Sequence, residues 1–86
     1  MDHNLTAEAI GTYGRYLHVE ERSPGTIEKY LQDVRAFARW LDGRPASKEL
    51  VTGWKEHLIS QGYAPVTINS MLAALNGLFR LSLIHI

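Results

Sequence analysis

The sequence contains no cysteine, which removes a disulfide framework, a thiol nucleophile and any thiolate metal site. It has no net charge either. Nine basic side chains stand against nine acidic ones, a balance that argues against a strongly basic nucleic-acid arm. No uninterrupted apolar run approaches the roughly 20 residues needed to span a bilayer. The N-terminal Met-Asp-His-Asn-Leu-Thr lacks the basic start and apolar stretch of a secretory signal, so a cytoplasmic protein with no membrane partner is expected. Three prolines and seven glycines do not suggest disorder. With 86 residues there is room for one small domain, which buries about 60% of its unfolded surface, and these residues are not expected to hold a large multidomain enzyme.

The charges are unevenly placed. Residues 1 to 21 carry Asp2, Glu8, Glu20 and Glu21 against Arg15 alone, whereas residues 22 to 44 carry Arg22, Lys29, Arg35, Arg39 and Arg44 against Glu28, Asp33 and Asp42. The second segment is therefore locally basic.

Apolar spacing predicts four helices and no strand. From Thr6 to Glu20, with Thr6 as N-cap and Glu8 in the first turn, Ala9, Ile10, Tyr13 and Leu17 share one side of a 3.6-residue period, which Gly11 and Gly14 weaken. Ser23 then caps a second helix with Pro24 at its first position. Its stripe is Ile27, Tyr30, Leu31, Val34, Phe37, Ala38 and Leu41, and Gly43 is a natural stop. Ser47 opens a third helix with Leu50, Val51, Trp54 and Leu58 inward, ending near Gly62. Pro65 opens a fourth with Ile68, Met71, Leu72, Leu75, Leu78 and Phe79 inward. Ser23-Pro24-Gly25-Thr26-Ile27 is echoed at constant offset by Ala64-Pro65-Val66-Thr67-Ile68, and Leu31 and Val34 by Leu72 and Leu75. The chain thus reads as an all-α bundle of two helical hairpins. Two units are too few for a solenoid, and Pro-x-Thr-Ile is also simply a good helix start.

A helix N-terminus presents backbone N–H groups without intrahelical partners and roughly half a positive charge, so it suits a phosphate. Thr26 and Thr67 can add hydroxyl donors. Ala64 cannot cap as Ser23 can, a deficit of about 1 kcal/mol that either an anion or, more commonly, water offsets. On the outer side of the fourth helix Ser70, Ala73 and Gly77 form a smooth stripe bordered by Asn69, Asn76 and Arg80. Such a face suits a DNA groove, where Asn pairs with adenine and Arg with guanine or phosphate, or the surface of another helix; spacing does not choose. Glu28, Gln32, Arg35 and Arg39 share an exposed side of the second helix, the mixed charge of an ordinary solvated face.

His3, His18, His57 and His85 have no metal-ligand spacing, and no nucleophile elbow, phosphate-binding glycine loop or His-Glu-x-x-His pair is present. No catalytic residue, metal or cofactor is expected. Trp54 follows the core period, and Trp40, at the edge of the polar face, is expected to pack on a neighbouring helix.

The run Ser23-x-x-Thr26-x-x-x-Tyr30-x-x-x-Val34-x-x-Phe37-x-x-Trp40-Leu41, followed by Gly62-Tyr63-Ala64-Pro65-x-Thr67-Ile68-Asn69-x-x-Leu72-x-Ala74-Leu75, resembles the N-terminal core-binding domain of the tyrosine recombinases, the phage-integrase family. The resemblance covers roughly residues 5 to 80. It implies a four-helix SAM-like orthogonal bundle that forms half of a C-shaped clamp on double-stranded DNA, its second and fourth helices in the major groove. Carried over by position, it makes Ser23, Thr26, Lys29, Thr67, Asn69 and Ser70 DNA-binding candidates; Arg22 and Arg80 are added on charge. The family commonly has basic residues where this chain has Ser70, Met71 and Asn76, so weak binding is expected. Neutralising two or three phosphates corresponds to a slope of log K against log salt of about −2 to −3.

In the family, catalysis belongs to a following C-terminal domain with an Arg/His/Arg cluster and a nucleophilic tyrosine. None of Tyr13, Tyr16, Tyr30 or Tyr63 takes that role here, and the chain alone is expected neither to cut nor to join DNA. Its expected partners are that absent catalytic domain, duplex DNA and other recombinase protomers on the DNA. The alternatives are a SAM-like protein-interaction module docking through Ser70, Ala73, Gly77 and Trp40, or a freestanding DNA-binding regulator. The domain is expected to occupy residues 1–80. Residues 81–86, Leu-Ser-Leu-Ile-His-Ile, can be encoded by CTG TCT CTT ATA CAC ATC, the mosaic end of a transposase-based library adapter, so we hypothesise a non-native tail. A native clone encoding these residues before a stop codon would refute that origin.

Overall fold

The computed structural model describes residues 6–80, and the tail at 81–86 lies outside the described residues. Among the described residues there are four helices and no strand: α1 (Ala7–Val19), α2 (Pro24–Leu41), α3 (Lys48–Ser60) and α4 (Pro65–Arg80). The chain is thus all-α, consistent with a small SAM-like domain. None of these helices is long and apolar enough to cross a membrane.

The caps act where side-chain chemistry predicts. The hydroxyls of Thr6, Ser23 and Ser47 accept from the backbone N–H of Ala9, Thr26 and Leu50 at 3.1, 3.2 and 3.1 Å. Each satisfies a donor that the first helical turn leaves without a partner. The hairpin turns also match each other. After α3, Tyr63 N–H donates to Leu58 C=O and Gly62 N–H to Ile59 C=O, with Gly62 left-handed at φ 86°. After α1, Arg22 donates to Leu17 and Glu21 to His18, with Glu21 left-handed at φ 57°. Both are Schellman closures, and the internal repeat therefore extends into the turns that precede Ser23 and Ala64.

The core is built from Ile10, Tyr13 and Leu17 of α1, Val34, Phe37 and Leu41 of α2, Trp54 and Leu58 of α3, and Ile68, Met71, Ala74, Leu75 and Leu78 of α4, with Ala46 from the α2–α3 connection. Helix α2 packs against all three others. The inward stripes predicted from spacing hold at their centres, while Ile27, Tyr30, Leu31, Ala38, Leu50, Val51, Leu72 and Phe79 are only partly buried at the rim. Two core features escape the apolar pattern. Asp33 is buried on α2, at 6% exposure, and Tyr13 crosses from α1 to donate its hydroxyl to Ala74 C=O at 3.0 Å. Burial pushes the Tyr13 phenol up to about 12, since a phenolate in that site would lose its hydration.

At the other end of α2, Trp40 packs across α3, with ring centroids 5.5 Å from Trp54 and 6.0 Å from His57. Its expected helix contact is therefore found. Arg44 lies over the Trp40 ring, 4.6 Å from its centroid, and donates to Leu41 C=O and Trp40 C=O at 2.8 and 2.9 Å. The guanidinium thereby partners the Trp40 carbonyl at the end of α2 and adds a second donor to Leu41 C=O, which the Arg44 backbone N–H also reaches.

Candidate nucleic-acid interface

The α2 start is a closed hydroxyl pair. Ser23 Oγ accepts from Thr26 N–H and donates to Thr26 Oγ1 at 2.9 Å. The hydroxyl proton of Thr26 is then the donor left for a partner, beside the backbone N–H of Gly25, which no intrahelical carbonyl reaches. The space around Gly25 is open. At the α4 start no side chain caps, because Ala64 has none to offer. Ile68 N–H bonds to Ala64 C=O, leaving the N–H groups of Val66 and Thr67 as first-turn donors. Thr67 is half-buried, whereas Asn69 and Ser70 are exposed on the next turn.

The two starts adjoin different neighbours. The first turns of α2 face the C-terminal half of α4, where Tyr30 shares a cleft with Ala73, Asn76 and Gly77. The α4 start instead faces the end of α3, where Asn69 and Pro65 line a second cleft with Lys55, Ile59 and Tyr63. Thr67 and Arg80 are separated by most of α4, about 20 Å at 1.5 Å per residue. Lys55, beside Asn69, is a basic group that reading the sequence did not single out; it lies on α3, which the family resemblance did not implicate.

Lys29 is engaged within the protein. Its Nζ donates to both carboxylate oxygens of Asp33, at 2.7 and 2.6 Å. The pair is one turn apart on α2, with the ammonium half-exposed and the carboxylate buried. Drawing Lys29 away to a phosphate would leave a buried carboxylate without its charge partner, which is costly.

Arg22 and Arg80 are brought together. Although distant in sequence, they line one cleft of about 320 Å³ between the α1–α2 turn and the end of α4. Its remaining wall includes Tyr13, Tyr16, Tyr30 and Asn76. Tyr16 donates its hydroxyl to Glu20 at 3.0 Å, a bond that raises its pKa above the ordinary phenol value. Gly77 also differs from its expected role. Placed by periodicity on the smooth outer stripe, it lies instead against the Tyr13 hydroxyl, in space that a Cβ would occupy. Ala73 and Ser70 remain exposed, while Gly77 is half-buried.

The four tyrosines sit differently: Tyr13 is buried and donates to a carbonyl, Tyr16 donates to a carboxylate, Tyr30 lines the cleft with Arg22 and Arg80, and Tyr63 lines the one with Lys55. Among the described residues no group of three or more His, Asp or Glu side chains is placed to hold a metal ion.

Residues 10–83 match the family model described as phage integrase, N-terminal SAM-like domain. Relatives include a tyrosine recombinase of Synechococcus elongatus, 36% identical over an alignment of 78 residues that covers 73% of this chain and 24% of the relative. The tyrosine recombinase XerA of Thermococcus kodakarensis is 32% identical over 73 residues, covering 85% of this chain and 25% of the relative. The chain thus spans about a quarter of the length of these relatives. No solved structure gives a significant match.

Proposed function

The chain belongs to the phage integrase N-terminal SAM-like domain family, and on that premise we propose that it is the DNA-gripping module of a tyrosine recombinase. In this reading it clamps duplex DNA through α2 and α4 at a recombination site, for DNA integration or recombination. A separate domain of the same protein, carrying the Arg/His/Arg set and the nucleophilic tyrosine, performs the chemistry, and further protomers assemble on the same DNA in the cytoplasm. The observation that carries the reading is the match over residues 10–83 to a domain whose relatives are tyrosine recombinases.

The surface chemistry supports it. The groups at the two helix starts and along α4 include the hydroxyls of Ser23, Thr26, Thr67 and Ser70, the amides of Asn69 and Asn76 and unpartnered backbone N–H donors, which suit phosphate and base-edge acceptors. The span of about 20 Å between Thr67 and Arg80 corresponds to about six nucleotide steps at roughly 3.4 Å each, so α4 lying along a groove reaches well-separated contacts on one duplex. Few of these groups are charged, and a module of this kind binds weakly when separated from the rest of a clamp.

Fluorescence anisotropy with a labelled duplex tests the proposal. Binding at low salt with a log–log slope of about −2 to −3 is expected. Thr26→Ala combined with Thr67→Ala should weaken it without shifting the thermal midpoint by more than a few degrees. Salt-insensitive self-association with no duplex binding would instead assign the domain to protein interaction.

A further inference from the structure

We infer that the cleft between Arg22 and Arg80 is the seat of a single phosphodiester phosphate of the nucleic-acid backbone, gripped by guanidinium groups from the α1–α2 turn and the end of α4. The inference rests on the DNA-binding reading above and adds to it a defined pocket on the opposite end of α4 from Thr67.

The first argument is electrostatic. Two permanently charged side chains converge on one cleft of about 320 Å³, and no Asp or Glu contributes to its lining. Among the described residues the ion pair present is Lys29 with Asp33, so neither arginine is held in a contact ion pair there. Two like charges facing a shared cavity repel, and an anion between them converts that repulsion into two attractions. Guanidinium suits the task because its planar fork meets phosphate oxygens in pairs.

The second argument concerns the walls. Asn76 and Tyr30 line the same cleft, and their side chains carry neutral groups that can donate to an oxyanion. Tyr13 forms part of the wall with its proton held on Ala74 C=O, so it stays neutral and adds no competing negative charge. The nearby Glu20 carboxylate is held by the Tyr16 hydroxyl. Arg22 itself is fixed at the backbone, its N–H closing the turn onto Leu17 C=O.

The third argument is geometric. A phosphate here and donors at the α4 start lie about 20 Å apart along one helix. Two backbone contacts so separated set the orientation of a domain on a duplex, whereas one does not.

The test is duplex anisotropy over a salt series with the 86-residue chain and with R22Q, R80Q and the double variant. R35Q/R39Q, which removes two exposed charges from α2, serves as the charge-matched control. The double cleft variant should reduce the magnitude of the salt slope by about 0.9, the share of one phosphate, and each single variant by no more than that, to a similar extent on unrelated duplexes, while the control leaves the slope within about 0.3 of wild type. If wild type binds but R22Q/R80Q keeps the full slope, or R35Q/R39Q lowers it equally, the cleft is not the seat and the DNA-binding reading survives. Absence of wild-type binding at low salt would overturn both. A parallel titration follows the arginine Nε–H resonances: shifts as large with millimolar inorganic phosphate as with duplex, alongside unchanged slopes, would make the cleft a free-phosphate site and overturn the backbone assignment.

Discussion

The Tyr13 hydroxyl occupies the space that a side chain at Gly77 would need, and this interlock joins α1 to α4. Tyr13 of α1 donates to Ala74 C=O of α4, and on the next turn only a residue without a Cβ leaves room for its hydroxyl. Gly77→Ala therefore sets two effects against each other. Alanine favours the helix by about 1 kcal/mol, but crowding a packed seam costs typically 1–3 kcal/mol. We expect a net loss of roughly 1 kcal/mol. In a Tyr13→Phe background the hydroxyl clash is gone and only the ring edge remains, its nearest carbon 3.3 Å from the new Cβ, so the same substitution should cost less and approach neutrality. Urea denaturation of the four proteins measures this coupling; additive effects would refute the interlock.

The same tyrosine makes a pH prediction. Its folded pKa is about 12 against an ordinary value of 10.0, so below pH 10 both folded and unfolded chains hold the proton. Between 10 and 12 the unfolded chain releases it and the folded chain does not. Stability due to Tyr13 is thus intact below pH 10 and is lost as pH rises through 12. Denaturation midpoints measured from pH 8 to 12 should fall more steeply for wild type than for Tyr13→Phe.

Lys29 and Asp33 define a third test. Lys29→Met removes the partner of a carboxylate that is 6% exposed, and because the ammonium end is half-exposed we expect a loss of about 1–3 kcal/mol, below that of a fully buried pair. Lys29→Met with Asp33→Leu should recover most of it, as removing both partners leaves no orphaned charge. If Lys29 spends its charge on Asp33, the single variant changes the salt slope of duplex binding by well under the 0.9 expected of a phosphate contact. A full-sized change would put Lys29 on the DNA.

Most of the fold is written in short-range chemistry, and that is why it was legible. Thr6, Ser23 and Ser47 cap because hydroxyls sit three residues before a free N–H, and Pro24 and Pro65 can only open helices. The repeat announced two hairpins. What was hidden depends on contacts between segments far apart in sequence. A lone aspartate beside Val34 gives no sign of burial, since its stabilisation depends on a lysine one turn back that also looks solvent-facing. Gly77 falls on the outer stripe by period, but the length of Tyr13 moves the packing seam onto it. The site divides the same way. Family positions pick out Ser23, Thr26, Thr67, Asn69 and Ser70 individually, yet nothing in their order says that the two helix starts face different neighbours. That Arg22 and Arg80 share a cleft follows from how α1, α2 and α4 pack.

The matched turns after α1 and α3 supply the last test. Both close with the same pair of backbone bonds, but Gly62 holds the left-handed position in one and Glu21 in the other, at φ 57°. A side chain in that conformation costs about 1–2 kcal/mol from the approach of Cβ to the following carbonyl. Glycine avoids the clash and loses more backbone entropy on folding, a partial offset of roughly 0.5–1 kcal/mol. Glu21→Gly should accordingly stabilise the domain by about 0.5–1 kcal/mol, and Gly62→Ala should destabilise it by a similar amount. Because the Arg22 N–H bond to Leu17 is preserved in Glu21→Gly, duplex binding should keep its salt slope apart from the small gain from losing one acidic group. Thermal or urea melts of the two variants decide the matter: equal and opposite shifts support the shared turn geometry, whereas a destabilised Glu21→Gly would show that the glutamate contributes something beyond its backbone angle.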